Sequence, residues 1–192
     1  MNLLGKTIHK IILIDFFSEE ERIENKVSLT LSEFLKKSHV ETICFYPNSN
    51  EEMSDLLIEI PKLDINNGVV IHLIGHGGKQ YFGNNKNVLF EWLELNKLLT
   101  NINLVTNDSL IVNATLLCDG FNILEPMNTI DSQKHFYAAI YSKTKRSNQT
   151  LRHNIDFYQK CFNNPDSIKN LEEINDIIED NQDERPYDMK IL

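Results

Sequence analysis

The chain has 192 residues, enough for one sizeable hydrophobic core but too few for two comfortable ones. Hydrophobic residues make up 41% and charged residues 24% of the sequence, as in an ordinary globular domain. The formal net charge of −9 argues against nucleic-acid phosphates or an anionic membrane surface as the main partner, so we expect neither nucleic acid nor a membrane among the partners.

Apolar runs alternate with segments of helical periodicity along the chain. The sequence predicts, in order, a strand over 9–17, a helix over 25–37, a strand over 39–47, a helix that begins at the capping sequence Ser49–Glu52, a strand over 69–77, a hairpin within 79–92, a helix that begins at Trp92, a strand over 109–118, a strand over 135–142, and helices over 150–162 and 167–179. We interpret residues 1–180 as one domain and 181–192 as a polar, frayed C-terminal tail.

Strands that alternate with helices at this spacing predict an α/β fold, with a mostly parallel sheet covered by helices on both faces. In such sheets, ligands collect outside the carboxyl ends of the strands. His76 lies at the carboxyl end of the third predicted strand and Cys118 at the carboxyl end of the fourth, each with a glycine close by in the sequence. The sequence therefore predicts that His76 and Cys118 lie at the same edge of the sheet.

A cysteine thiol becomes an effective nucleophile when a neighbouring base takes its proton. A single histidine or cysteine in a loop is more often structural, but the matched positions at two strand ends favour a catalytic dyad of His76 and Cys118. Gly77 has no side chain that would crowd its own backbone N–H, and Gly120 permits the chain to turn sharply after Cys118. Backbone N–H groups in these loops could stabilise a developing oxyanion.

The sequence lacks the characteristic motifs of several other enzyme classes. The Gly-x-Ser-x-Gly elbow of esterases, a P-loop and a Gly-x-Gly-x-x-Gly turn are all absent, although a different cysteine-based amidohydrolase stays open. No cluster of cysteines and histidines completes a zinc site, so we expect no metal and no cofactor. Three scattered cysteines without a CxxC pair predict reduced thiols in a cytoplasmic protein, with Cys44 and Cys161 in the core.

Two motifs carry a resemblance to a known family. The segment "IHLIGHGG" resembles the apolar-block–His–Gly motif of the caspase-like cysteine peptidases (clan CD), and "LIVNATLLCDG" is similar to their apolar-block–Cys–x–Gly motif. The His-to-Cys spacing is also near the roughly 50 residues of caspases. The resemblance covers about residues 9–162 and is nearest the compact prokaryotic members, including CHAT domains. It implies a caspase-like three-layer sandwich, with a sheet of five to six strands and a β-hairpin after the catalytic histidine.

By this resemblance, the Cys118 thiol would attack the peptide carbonyl, and His76 would protonate the leaving amine. The backbone N–H groups of Gly77 and Cys118 would form the oxyanion hole. The loop after the fifth strand would help to build the substrate pocket, so Ser142 and Arg146 are candidate substrate-binding residues, and Asp119 beside Cys118 is a third. Arg146 could bind an acidic substrate side chain, whereas Asp119 could instead select a basic one. The chain departs from the caspase pattern in having Leu117 before the nucleophile and Asp119 after it.

The implied function is that of a caspase-like cysteine endopeptidase with a protein or peptide substrate. By family analogy, a regulatory or activating protein partner or a signal would switch it on in a bacterial defence or stress pathway. The alternative is a catalytically degenerate domain that uses the same cleft as a protein- or peptide-binding module. The acidic residue beside Cys118 favours this alternative, because an anion that faced the site would raise the pKa of the thiol.

Overall fold

The computed structural model describes residues 1–38, 40–65, 68–84, 86–128, 134–142, 150–163 and 187–192. The strands and helices in these ranges are β1 (Asn2–Leu3), β2 (Lys6–Thr7), β3 (Lys10–Asp15), α1 (Glu19–Asn25), α2 (Val27–Lys36), β4 (Glu41–Phe45), α3 (Asn50–Glu59), β5 (Val69–Ile74), β6 (His76–Gly77), β7 (Tyr81–Gly83), β8 (Leu89–Glu91), α4 (Trp92–Val105), β9 (Leu110–Leu116), β10 (Ala138–Ser142), α5 (Thr150–Asn163) and β11 (Tyr187–Ile191), with 3₁₀ helices at Ile60–Lys62 and Gly120–Asn128.

In this part of the chain, six strands form the central sheet, in the order β11-β10-β9-β5-β3-β4. The pairs β3–β4, β3–β5, β5–β9 and β9–β10 are parallel, whereas β11 is antiparallel to β10. Every residue of β3, β5 and β9 is buried, because helices cover both faces of the sheet. The predicted α/β architecture is therefore confirmed.

Side chains that alternate along β3 fill two separate cores. Ile12 and Ile14 pack in the core that also contains apolar residues of α3 and α4. Ile11 and Leu13 pack in the opposite core, with apolar residues of α2 and α5. Full burial of one such side chain contributes about 1.5–3 kcal/mol, so the two faces together fix the position and the register of the central strands.

A small antiparallel sheet of β6, β7 and β8 follows the end of β5, and it contains the predicted hairpin. Asn84 holds the hairpin turn, since its Oδ1 accepts hydrogen bonds from the backbone N–H groups of Lys86, Asn87 and Val88. The predicted third strand over 69–77 is thus two strands. Its first part, β5, belongs to the central sheet, and its last two residues form β6 beside the hairpin.

The C-terminal end and the segment after β3 differ from the prediction. The expectation of a frayed end is wrong for residues 187–191, which form β11; apolar and charged residues alternate there, as in a strand at the edge of a sheet. Helix α1 was not predicted, because it has no apolar periodicity and buries none of its residues. The helix predicted over 167–179 lies outside the described residues, and the boundary of a single domain at residue 180 stays a prediction.

The described helices contain no apolar stretch long enough to span a lipid bilayer.

Candidate active site

The His76 and Cys118 loops leave the sheet side by side. Strands β5 and β9 are parallel neighbours, and Ile74 pairs with Leu116 after a register shift in the pairing. The N–H of Gly75 donates to the carbonyl of Leu116 at 3.4 Å, which continues the contact beyond the strand ends. Because neighbouring strands lie only about 4.8 Å apart, the two loops that follow them meet at one edge of the sheet, as the sequence predicts.

Gly77 lies directly against the backbone of Cys118. A Cβ atom on Gly77 would stand 1.7 Å from the carbonyl oxygen of Cys118 and 2.8 Å from its carbonyl carbon, closer than a Cβ atom can approach either atom. Glycine at position 77 is therefore required by the close approach of two backbones. This approach brings the residue next to His76 into contact with the proposed nucleophile.

Asn122 joins the two loops by hydrogen bonds, and Trp92 of α4 holds the His76 loop as well. The carbonyl of Gly78 accepts from Trp92 Nε1 at 2.9 Å and from Asn122 Nδ2 at 3.1 Å. Asn122 Nδ2 also donates to the carbonyl of Asp119 at 2.9 Å, and the Asn122 side chain is buried. Because both partners are acceptors, the amide must present its NH₂ group to them, which settles its orientation. Asn122 thus binds the His76 loop to the Cys118 loop.

We predict that Asn122→Asp lowers the free energy of unfolding by about 1–3 kcal/mol, because a buried carboxylate cannot donate to the two carbonyl oxygens and would place its negative charge against them. Urea denaturation at pH 7 measures this change. The same substitution at Asn101, which is exposed on α4, is the matched control and should change stability by less than about 0.5 kcal/mol. Equal stability of Asn122→Asp and the wild type would show that the amide does not hold the loops together.

His76 has a carboxylate partner that the sequence analysis did not identify. Its side chain is 38% exposed, and its Nε2 lies 2.7 Å from Oε1 of Glu21 on α1. The ring of Phe17 contacts the imidazole edge-on, with the two centroids 5.2 Å apart. One ring nitrogen of His76 is therefore engaged on the side of α1.

Glu21 is itself held by the start of α1. Its Oε2 accepts from the N–H of Ser18 at 2.9 Å, and the hydroxyl of Ser18 accepts from the N–H of Glu21 at 3.4 Å, which forms a capping box. Burial would raise the pKa of Glu21, but hydrogen bonds from His76 and Ser18 outweigh burial and leave the pKa below its ordinary value. The Ser-x-x-Glu spacing directly after β3 was the signal that could have identified this residue.

The three cysteines lie in different environments. Cys118 is partly exposed and forms no disulfide. Cys161 is buried on α5, and burial raises its pKa far above the ordinary value, so it remains a thiol. Cys44 is partly exposed in β4 and packs against the core that contains α2 and α5. Among the three, Cys118 alone follows the strand next to β5.

Asp119 has the left-handed conformation in the turn after Cys118, with a φ of +51°. The structure corrects the reason for Gly120: a Cβ atom there would stand 2.3 Å from the carbonyl of Ala114, so close packing and not the turn requires glycine. Ser142 is the last residue of β10 and pairs with Tyr187 of β11. Arg146 lies outside the described residues, so its substrate-binding role stays a prediction, as do those of Asp119 and Ser142.

His72 lies in β5, four residues before His76, and is fully buried. Its Nδ1 is 3.0 Å from the hydroxyl of Tyr158 on α5, and that hydroxyl also accepts from Asn113 at 3.4 Å. Burial lowers the pKa of His72 to about 3. His72 is therefore a neutral core histidine, away from the proposed dyad.

Among solved structures, the chain is similar in fold to a crystal structure of caspase-1 from Spodoptera frugiperda. The TM-score is 0.59 and the sequence identity 13%, over 100% of this chain and 88% of that chain. No protein-family model matches the chain, and no curated protein does. The likeness confirms the predicted fold class, a caspase-like three-layer sandwich with a mostly parallel sheet.

Proposed function

We propose that this protein is a cysteine peptidase of the caspase-like type, with His76 and Cys118 as its catalytic dyad. The observation that carries the proposal is the contact of the His76–Gly77 strand with the Cys118 backbone at the carboxyl edge of the sheet. The caspase-like fold supports the same class of enzyme. The partial exposure of both residues leaves them accessible to a peptide.

In the proposed reaction, Cys118 gives its proton to His76, and its sulfur attacks the carbonyl carbon of the substrate. The carbon–sulfur bond forms while the carbonyl oxygen gains negative charge, which the N–H groups of Gly77 and Cys118 stabilise. Loss of one such donor typically raises a barrier by roughly 3–4 kcal/mol. His76 then gives the proton to the leaving amine as the carbon–nitrogen bond breaks. Finally, water attacks the thioester, with His76 as the base, and releases the acid and the thiol.

The substrate is proposed to be a protein or peptide whose side chain before the cut bond contacts Asp119, Ser142 and Arg146. By analogy with the resembling family alone, we also infer a regulatory partner or signal, a bacterial defence or stress pathway, and a cytoplasmic location. A role for Asp119 is supported by its defined position beside Cys118, where Asn122 donates to its carbonyl and its φ is left-handed.

Intact-protein mass spectrometry after incubation with a peptide acyloxymethyl ketone tests the proposal. We expect one adduct on Cys118 in the wild type, none in Cys118→Ala, and at least about 100-fold slower labelling in His76→Ala, because the base that activates the thiol is lost. Cys44→Ala, which removes the other partly exposed thiol, is the matched control and should label as the wild type does. An adduct on Cys44 instead, or no adduct at all, would contradict the dyad and favour the peptide-binding module.

A further inference from the structure

We propose that Glu21 is a positioning residue of the dyad, whose carboxylate holds Nε2 of His76 so that Nδ1 is the ring nitrogen that exchanges a proton with Cys118. This inference rests on the proposed function. It assigns a role to a residue outside both sequence motifs, and to a helix that buries none of its own residues.

The carboxylate of Glu21 selects the tautomer of the His76 imidazole. A neutral histidine carries one N–H, and the hydrogen bond made by one ring nitrogen decides the state of the other. With Glu21 Oε1 at 2.7 Å, Nε2 carries the hydrogen and donates it, so Nδ1 keeps the lone pair that can accept a proton from a thiol. The same carboxylate compensates the positive charge that the ring acquires when Cys118 becomes a thiolate.

Neighbouring residues restrain the side chains of both His76 and Glu21. The edge-on contact of Phe17 opposes rotation of the imidazole. The second carboxylate oxygen of Glu21 accepts a hydrogen bond from the N–H of Ser18, so each of the two oxygens is held by a hydrogen bond. Because the Glu21 side chain is already held as part of the helix cap, it loses little additional conformational entropy when it orients His76. A catalytic base that is oriented in advance in this way is pre-organised for proton transfer.

A hydrogen bond and an ion pair connect α1 to neighbouring parts of the fold. Arg22 donates from Nη1 to the carbonyl of Phe17, and Glu20 forms an ion pair with Lys86 in the hairpin turn at 2.9 Å. Because α1 buries none of its residues, polar contacts attach it, and the partly buried bonds of Arg22 and Glu21 are the ones that hold it in place. The Glu20–Lys86 pair lies on the exposed surface, where such pairs contribute about 0–1 kcal/mol, so Glu20 supplies a neighbouring glutamate whose loss should be harmless.

The test compares Glu21→Ala, Glu21→Gln and the matched control Glu20→Ala by the rate of Cys118 labelling with the acyloxymethyl ketone. We expect Glu21→Ala to label about 10- to 100-fold more slowly, a part of the roughly 10²- to 10⁴-fold that acid–base catalysis contributes. Glu21→Gln should recover part of the rate, because its single amide oxygen can still accept from Nε2, whereas its NH₂ group cannot accept from Ser18 as the second carboxylate oxygen does. Glu20→Ala should stay within about twofold of the wild type. Equal or faster labelling of Glu21→Ala would overturn the proposal, the faster rate meaning that Glu21 restrains His76 unproductively.

A second measurement does not depend on peptidase activity. Nitrogen-15 NMR of the imidazole, with the His76 signals identified by their loss in His76→Gln, should show the Nε2–H tautomer in the wild type and in Glu20→Ala, and a mixture of tautomers in Glu21→Ala. An Nδ1–H tautomer in the wild type, or the same tautomer in Glu21→Ala, would overturn the proposal. Failure of the wild type to label at Cys118 would instead overturn the dyad, and the NMR comparison would then decide the role of Glu21 alone.

Discussion

Gly77→Ala should abolish labelling of Cys118, with at least about a 100-fold loss of rate, and should lower the free energy of unfolding by about 1–3 kcal/mol, as overpacking of a filled site does. The reason is steric: the new Cβ atom would stand 1.7 Å from the carbonyl oxygen of Cys118, so either β6 or the Cys118 loop has to move. Movement of either one separates the histidine from the thiol. Labelling kinetics and urea denaturation measure the two effects independently.

Gly78→Ala is the matched control for this prediction, since it adds the same methyl group one residue further along. Its Cβ atom would stand 3.4 Å from the carbonyl of Tyr81, an ordinary van der Waals distance. We expect Gly78→Ala to label at close to the wild-type rate and to unfold within about 0.5 kcal/mol of the wild type. If Gly77→Ala labelled as fast as Gly78→Ala, the backbone contact would not be what holds the dyad together.

Acid should destabilise the protein strongly through His72. In the unfolded chain the imidazole takes up a proton near its ordinary pKa of 6.5, whereas burial lowers the pKa in the folded chain to about 3. The unfolded state therefore binds more protons between these values, so stability is fully present above pH 6.5 and is lost as the pH falls towards 3. At about 1.4 kcal/mol per pKa unit, the loss approaches about 5 kcal/mol, a large share of the roughly 5–15 kcal/mol that stabilises a domain.

Urea denaturation at several pH values between 7 and 3.5 measures this loss, with His72→Gln as the variant. Glutamine does not titrate, so the stability of His72→Gln should fall less steeply than that of the wild type across the range. His9→Gln is the control, because His9 is exposed, and its profile should be parallel to that of the wild type. Parallel profiles for His72→Gln and the wild type would mean that His72 does not drive acid unfolding.

The parts of the fold that hydrophobic burial dictates were predictable from the sequence. Strands β3, β5 and β9 are mostly apolar and fully buried, and the carboxyl ends of β5 and β9 predict that His76 and Cys118 lie together. Strand β11 was missed because a five-residue alternation in a polar C-terminal segment is a weak signal, and its pairing with β10 is decided by tertiary contact.

The parts of the site that depend on polar contacts across the fold were not predictable in the same way. Glu21 reaches His76 from a helix with no apolar face, so periodicity could not reveal it. Asn122 binds Gly78 only because the 3₁₀ helix after Cys118 folds back toward the His76 loop. The catalytic roles of His76 and Cys118, and the oxyanion role of Gly77, stay predictions until the labelling experiments are done.

The antiparallel pairing of β11 also determines what the sheet offers to other chains. Without β11, the open edge would be β10, whose Ala138, Ala139 and Ile140 are apolar and whose backbone N–H and carbonyl groups would be ready to pair. With β11 in place, the edge strand of the described sheet has Asp188 and Lys190 in its sequence, and charged residues at an edge oppose the addition of further strands. We therefore expect β11 to disfavour aggregation through this edge of the described sheet, a role that is separate from catalysis.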